Sequence, residues 1–335
     1  MLNHRGTRPI KTERLFLRAV KKEDYKDMYR YTKKEEVSRY VSWNVHKSID
    51  ETKALCEMWA GEYENSDRYN WAIVLNGRVI GSIDIVKIVG SSAVIGWQLD
   101  SDFWNKGIMT KAAAAVRDYM FLEVGINALL ASFIKENVGS GRVMAKIGMK
   151  EITDEKYYEK LGDTKEHSAE INGMPLGFYR LTKDEWVEQN VRAITVSEFD
   201  KLSNIWDMEK CKYTEFFRNQ LETGNRICCV LDINGMFMAQ GDLALKSEEE
   251  GYTIENERVY FSRLIVKREY RDAGIGQSML KYLIGLAKRM NFGEISIGVD
   301  ADNLRAIHIY KKAGFEIFET AEDVNGEYYK MLLKL

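Results

Sequence analysis

Apolar and polar positions come in short bursts along this chain, and the order of the bursts repeats. Leu15-Phe16-Leu17-Arg18 alternates as a strand does, and a helical pattern carrying Tyr25, Met28, Tyr29 and Tyr31 begins near Lys22. A second helix is predicted over residues 50–64, with Ser48 and Glu51 spaced like a capping box at its start. Trp71 to Leu75 and Val79 to Ile88 flank Asn76-Gly77, a strong hairpin signal. Ala93 to Leu99 reads as the next strand. Trp104-Asn105-Lys106-Gly107-Ile108-Met109 follows, then a helix through Ala112, Ala115, Val116, Tyr119 and Met120. The strand Ala128 to Ile134 leads to Asn137, and a short helix over 140–147 stops at Gly148.

The remainder replays this order. Val191 to Ile194 is a strand, Thr195 and Glu198 form a capping box, and a helix is predicted around Leu202 to Trp206. Ile227 to Leu231 and Met236 to Leu245 flank the turn Asn234-Gly235. The strand Val259 to Val266 runs into Arg271-Asp272-Ala273-Gly274-Ile275-Gly276. A helix with the apolar stripe Met279, Leu280, Leu283, Ile284, Ala287 and Met290 comes next. Glu294 to Val299 leads to Asn303, a helix over 306–312 stops at Gly314-Phe315, and Tyr328 to Leu333 is the last strand. Gly107 lies 30 residues before Asn137 and Gly274 29 before Asn303, while each Asn stands 11 residues before a helix-ending glycine. Element order and spacing together indicate an internal duplication, with domains over 1–190 and 191–335.

Strand, glycine turn, helix aims free backbone N–H groups and the positive end of a helix dipole at one point, which suits a phosphate. Two nucleotide readings of that turn fail. After Gly274 and Gly276 the third position is Met279 and the preceding elements are hairpins, which argues against a dinucleotide-binding βαβ unit. No Lys-Ser/Thr follows the glycines, which excludes a P-loop.

Composition narrows the class. The 335 residues are comfortable for two domains, and 45% hydrophobic with 30% charged content describes a globular chain. The net charge of −2 divides into +1 before residue 190 and −3 after it, so neither half is a nucleic-acid footprint. No apolar run approaches membrane-spanning length and no signal-peptide core is visible, so the expectation is a cytoplasmic protein without a membrane partner. Cys56, Cys211, Cys228 and Cys229 lack ligand spacing, and the chain has four histidines, so no metal is expected. Cys228 and Cys229 are neighbours on a strand and should point to opposite faces.

Arg271-x-x-Gly274-x-Gly276, with Asn303-x-x-Ala306-Ile307-x-x-Tyr310-x-x-x-Gly314-Phe315, resembles the GNAT superfamily of acetyl-CoA-dependent N-acetyltransferases. The first half resembles its ribosomal-protein N-terminal (alanine/serine) branch. The matching residues are Thr12-Glu13-Arg14-Leu15-x-Leu17-Arg18, Ile95-Gly96-Trp97, Lys106-Gly107-Ile108, Asn137-x-x-Ser140, Tyr179-Arg180-Leu181 and Glu185-Trp186. The resemblance implies tandem mixed α/β domains, each a mostly antiparallel, bent sheet flanked by helices. It implies acetyl-CoA as cosubstrate and, as acceptor, a primary amine of a small molecule or of a peptide or protein N-terminus. The chain would be a monomer acting as a pseudo-dimer, or a homodimer. Arg271, Asp272, Ala273, Gly274, Ile275, Gly276 and Gln277 would hold the CoA pyrophosphate. Leu264, Ile265 and Val266 would pair with pantetheine, and Asn303 belongs to the same motif. Leu99, Trp104, Asn105, Lys106, Gly107, Ile108, Met109, Thr110 and Asn137 would do the same work in the first half.

Tyr310 falls at the family's general-acid position, where its phenol would protonate the departing thiolate. A half-buried helix residue is the bland reading. The first half departs from the pattern. Trp104 stands where Arg or Gln is usual, Met109 at the second small position, Lys111 where an acid is common, and Met144 opposite Tyr310. In the resembling branch a serine at the position of Ser140 can serve as the acid, with a helix N-cap as the alternative. For the general base the candidates are Asp84 in the first half and Asp242, Glu257 and Asp300 in the second, each against a solvated carboxylate. Glu248-Glu249-Glu250 is either a solvated loop or an attractor of cationic amines. Of Tyr40, Trp43, Trp71, Trp97 and Trp104, most should be core and one or two should line an acceptor pocket. Three functional readings stay open: two active halves, one active half with a non-catalytic partner domain, or a CoA-binding module without turnover.

Overall fold

The computed structural model describes residues 2–41, 43–153, 170–171, 173–324 and 326–335. The backbone gathers into two compact units, 1–183 and 184–335. The division falls between neighbours with opposite attachments. Lys183 Nζ donates to the Gly125 carbonyl and to Asn127 Oδ1 at 3.0 and 3.3 Å. Asp184 accepts from Ser278 Oγ and Lys281 Nζ, both at 2.6 Å. The helix Lys183–Asn190, which the sequence reading assigns to the first half, therefore joins the second unit after its first residue.

In the first unit the sheet runs, neighbour to neighbour, Ile10–Lys11, Phe16–Ala19, Asn70–Leu75, Arg78–Val89, Ser92–Leu99, Ala128–Ile134, Met174–Thr182 and Lys150–Glu151. The second unit's order is Val191–Ala193, Arg226–Ile233, Met236–Ala244, Arg258–Val266, Glu294–Asp300, Gly326–Lys334 and Glu316–Asp323. Each is mostly antiparallel. Its single parallel pair among the described residues joins Ser92–Leu99 to Ala128–Ile134 in the first unit and Arg258–Val266 to Glu294–Asp300 in the second. The hairpin turns read from sequence are present. Asn76-Gly77 and Asn234-Gly235 have φ of 50° and 81°, and of 53° and 85°, the left-handed pair that matches the twist of the flanking strands.

Each sheet buries apolar side chains on both faces. In the second unit Phe261, Leu280, Leu283, Ile295, Ile297 and Met331 pack under the helices Ile275–Arg289 and Leu304–Lys312. Ile194, Phe199, Leu202, Val230 and Phe237 pack on the other face. Burying side chains of this size contributes roughly 1.5–3 kcal/mol each. Cys228 belongs to the second cluster and Cys229 to the first, so the adjacent thiols do point apart.

Several elements depart from the sequence reading. Residues Val196–Asn204 form a 3-10 helix, ending where an α-helix around 202–206 was expected; its capping-box Glu198 is shared with the Arg192 guanidinium at 2.7 Å. The amphipathic helix Thr214–Glu222 and the strands Met174–Thr182 and Glu316–Asp323 are elements the sequence reading did not assign. Glu316–Asp323 is exposed almost throughout and pairs in the sheet with Gly326–Lys334 on one edge, so burial leaves little mark on its sequence.

Candidate functional site

The two glycine turns have the same backbone. Asp272 and Gly274 have φ of 69° and 79°; Asn105 and Gly107 have 57° and 70°. The helix Ile275–Arg289 makes its first bond from Ser278 N–H to Gly274 C=O at 3.3 Å, so the N–H groups of Ile275, Gly276 and Gln277 precede the helical ladder. In Ile108–Tyr119 the first bond is Lys111 N–H to Gly107 C=O at 3.1 Å, leaving Ile108, Met109 and Thr110 in that position. Both differences between the copies have a structural answer. Arg271 Nε donates to the Val266 carbonyl at 3.1 Å, and Trp104 Nε1 donates to the corresponding Leu99 carbonyl at 2.8 Å, so either side chain ties the turn to the end of its strand. A Cβ added at Gly276 meets only the Val266 and Leu264 side chains at 3.6 and 3.8 Å, so Met109 fits the matching position without strain.

Beside each turn two strands part. Arg258–Val266 pairs with Glu294–Asp300 only from Arg258 to Phe261, and Ser92–Leu99 pairs with Ala128–Ile134 only from Ser92 to Val94. Beyond those residues the facing edges, 262–266 and 95–99, have no ladder partner among the described residues. Asn137 Oδ1 caps one short helix through Ser140 N–H at 3.3 Å, and Asn303 Oδ1 caps its counterpart through Ala306 N–H at 3.1 Å. Ser140 is thus not an N-cap; that place is Asn137's. Its side chain is half-buried at the wall of a cavity of about 480 Å³ in the first unit. Leu99, Trp104, Asn105, Gly107, Ile108, Met109, Thr110 and Asn137 share that wall, together with the aromatic rings of Tyr40, Trp97 and Phe103. Trp71 is fully buried in the core. Lys106 turns away, its Nζ bonded to the Asp102 carbonyl at 2.7 Å. Among the described residues no group of three His, Cys, Asp or Glu side chains gathers as a metal site requires.

Comparison with known proteins agrees with this doubled geometry. Residues 14–150 match an acetyltransferase (GNAT) domain and residues 192–315 the acetyltransferase (GNAT) family. The uncharacterized N-acetyltransferase YnaD of Bacillus subtilis strain 168 is 32% identical over 142 residues, 42% of this chain and 82% of its own. The chain belongs to the GNAT acetyltransferase family. It is similar over shorter stretches to other members. One is the probable spermine N(1)-acetyltransferase of Bacillus subtilis subsp. natto strain BEST195, 35% identical over 81 residues, 24% of this chain and 51% of that one. Among solved structures, RimL, a ribosomal L7/L12 alpha-N-protein acetyltransferase in complex with coenzyme A, aligns at 17% identity and a TM-score of 0.44. That alignment covers 52% of this chain and 98% of RimL.

Register makes the two GNAT halves comparable residue by residue. Leu99 faces Gly81 as Val266 faces Ala239, so Asp84, opposite Gly96, occupies the place of Asp242, opposite Arg263. The two carboxylates have different surroundings. Asp242 is fully buried, paired with Arg226 Nη1 at 2.7 Å and bonded by Gln240 Nε2 at 3.0 Å. Arg226 also donates to Ser262 Oγ at 2.7 Å and to Gln220 Oε1 at 2.6 Å. That network is absent around Asp84. Arg68, in the place of Arg226, is exposed, and the half-buried Asp84 carboxyl has no hydrogen-bond partner among the described residues. Desolvation pushes its pKa up to about 7. Asp242 is therefore held in a structural ion pair, and of these two sequence candidates for the base only Asp84 is available.

The other candidates also resolve. Glu257 is exposed and precedes Arg258–Val266, so it sits at the strand end opposite the glycine turn; at ~3.3 Å per residue, Leu264 is on the order of 20 Å away. That distance sets it apart from the turn. Asp300 is an exposed, solvated carboxylate. Glu249 accepts from Tyr328 Oη at 2.6 Å and faces Lys330 Nζ at 3.6 Å, while the Glu250 carbonyl accepts from Lys330 at 2.8 Å. The Glu248–Glu250 loop is thus anchored to the last strand. Tyr310 is half-buried on Leu304–Lys312 between Phe261 and Phe315, and burial pushes its phenol up to about 12. Met144, its counterpart, is buried. The sequence reading missed Glu36, Val37, Phe103 and Arg142 on the first cavity's wall and the guanidinia of Arg226 and Arg263. A charged residue inside the apolar run Phe261-Ser262-Arg263-Leu264-Ile265-Val266 was the available signal for the last of these.

Proposed function

We propose that the protein moves an acetyl group from acetyl-CoA to a primary amine of a small molecule or of a peptide or protein N-terminus, with a separate site in each half. The observation that carries this reading is the doubled turn: the same pair of left-handed residues, the same free N–H groups and the same parted strands occur in both units. Bound there, acetyl-CoA supplies an activated thioester. In the first half the N–H groups of Ile108, Met109 and Thr110 hold the pyrophosphate, and the strand edge up to Leu99 aligns the pantetheine arm. Asp84, ionised above about pH 7, takes the acceptor's proton directly or through water. Ser140, on the wall of the same cavity, is the proposed proton donor to the departing thiolate. In the second half Ile275, Gly276 and Gln277 hold the pyrophosphate, Leu264 to Val266 align the arm, and Tyr310, protonated throughout the neutral range, is the proton donor. The name of the relative from Bacillus subtilis subsp. natto supports a small polyamine among the acceptors.

Calorimetric titration tests the two-site reading. Two acetyl-CoA per chain are expected, and one in each of Gly107→Val and Gly274→Val, because a branched side chain is strained at the φ of 70° and 79° found there. A single site in the wild-type chain would sink it. In the same titration Trp104→Ala should weaken the first site roughly three- to tenfold, the worth of one hydrogen bond, while Trp104→Arg should keep it, since the second half uses an arginine for that bond. Equal losses in both variants would show that the indole does something other than tie the turn. Tyr310→Phe, assayed by thiol release in a Gly107→Val background, should lower turnover at least tenfold.

A further inference from the structure

Where Asp84 faces Gly96 in the first unit, Asp242 faces a second charge, Arg263. Side chains alternate along a strand. Leu264 and Val266 lie toward Gly276 and the pyrophosphate turn, so Arg263 and Ile265 project from the opposite face of the same parted strand. On that face the Arg263 guanidinium lies 4.0 Å from the centre of the Trp206 ring and 4.9 Å from that of Phe217. Trp206 is itself fixed by Nε1–H to Gln240 Oε1 at 2.7 Å. No carboxylate pairs with Arg263 among the described residues, because Asp242, the acid across the strand, is bound to Arg226 at 2.7 Å. Cys211 lies beside the guanidinium: burial raises its thiol, but the Tyr213 N–H and Arg263 bring it below its ordinary value.

Two guanidinia and one carboxylate leave a single positive charge on a half-buried face next to the strand edge where transfer is proposed. The guanidinium is held against two rings with the Cys211 thiol as a hydrogen-bonding neighbour, so little ordering entropy is lost when it pairs with an anion. A planar fork of charge +1 matches a carboxylate in geometry and in charge. We propose that the second half takes an amine acceptor that also carries a carboxylate, held by Arg263. This rests on the second half being a transfer site. It makes the halves different in substrate class: in the matching cross-strand pair the first half presents an acid without an ion-pair partner on one strand, and the second presents a guanidinium without a carboxylate partner on the other, among the described residues.

The test uses the full-length Gly107→Val chain, so that only the second site is read, with L-amino acids and their α-amides as matched acceptors and thiol release as readout. The free acids are expected to have kcat/KM at least tenfold above their amides. Arg263→Met should reduce that acid-to-amide ratio at least tenfold, and Arg263→Lys should restore part of it. The acetyl-CoA stoichiometry of each variant checks that it has folded. Equal kcat/KM for acids and amides, or a preference unchanged in Arg263→Met, would overturn the proposal while leaving acetyl transfer intact. If no amine of the panel turns over, the same pairs are titrated calorimetrically into the CoA-saturated chain. Binding of an acid but not its amide, lost in Arg263→Met, sustains the carboxylate site even though transfer fails. Absence of binding by every acid overturns it.

Discussion

Replacing Asp84 by asparagine is expected to lower kcat/KM of the first half about 100-fold, the usual worth of a positioned general base. The measurement is thiol release in a Gly274→Val chain across pH 5.5–9. The parent should gain activity as pH rises through about 7, where the desolvated Asp84 carboxyl ionises, and the variant should lose that step. An unchanged rate together with an unchanged profile would remove Asp84 from the mechanism. Stability moves the other way. An unfolded aspartate titrates near 3.9, and the folded one holds its proton up to about 7, so between those values the folded chain binds a proton that the unfolded chain has lost. The group's contribution to stability therefore falls as pH rises from about 4 to 7, and the cost is fully present above that. Asp84→Asn should stabilise the first unit at pH 8, by on the order of 2–4 kcal/mol, and leave it unchanged at pH 4. A merely structural acid would not give faster loss of activity with gain of stability.

Arg226→Met should destabilise the second unit by about 3–5 kcal/mol, because it strands the fully buried Asp242 carboxylate with neutral partners, the Gln240 amide and the Cys228 thiol. The same change also releases Ser262 and Gln220 from the guanidinium. Removing both charges as Arg226→Met with Asp242→Leu should recover most of that loss, since a buried ion pair contributes little net stability against well-packed apolar side chains. Chemical denaturation of the two variants beside the parent reads the difference. If the single and the double variant fall equally, the network is held by packing against Phe217 and the carboxylate is not the source of the cost.

These two carboxylates show what a single sequence can and cannot convey. Asp84 and Asp242 look alike in the chain: each is an acid in a strand after an Asn-Gly turn. Their difference arises from Arg226, which lies 16 residues before Asp242 and reaches it only because the hairpin register sets their strands side by side. For Glu257 the chain did hold the signal: it precedes the strand whose far end runs into the glycine turn. Conversely, the departures at Trp104 and Met109 looked like damage to the first copy. The geometry shows an indole N–H making the bond that Arg271 makes, and a side-chain position with room to spare.

The sequence by itself determined the family, the duplication, the two hairpins and the two glycine turns, all of which depend on local chemistry. Left-handed φ demands Asn or Gly, capping demands Asn, and apolar period follows burial. Those requirements act within a few residues and leave their mark in order along the chain. Only the tertiary structure decided which acid is free, which is paired, which aromatic rings border the first cavity and where the uncompensated guanidinium lies. Charge pairing and cavity shape depend on side chains brought together from separate strands and helices, and nothing in the linear spacing of Arg226, Asp242 and Arg263 records that they meet on one face.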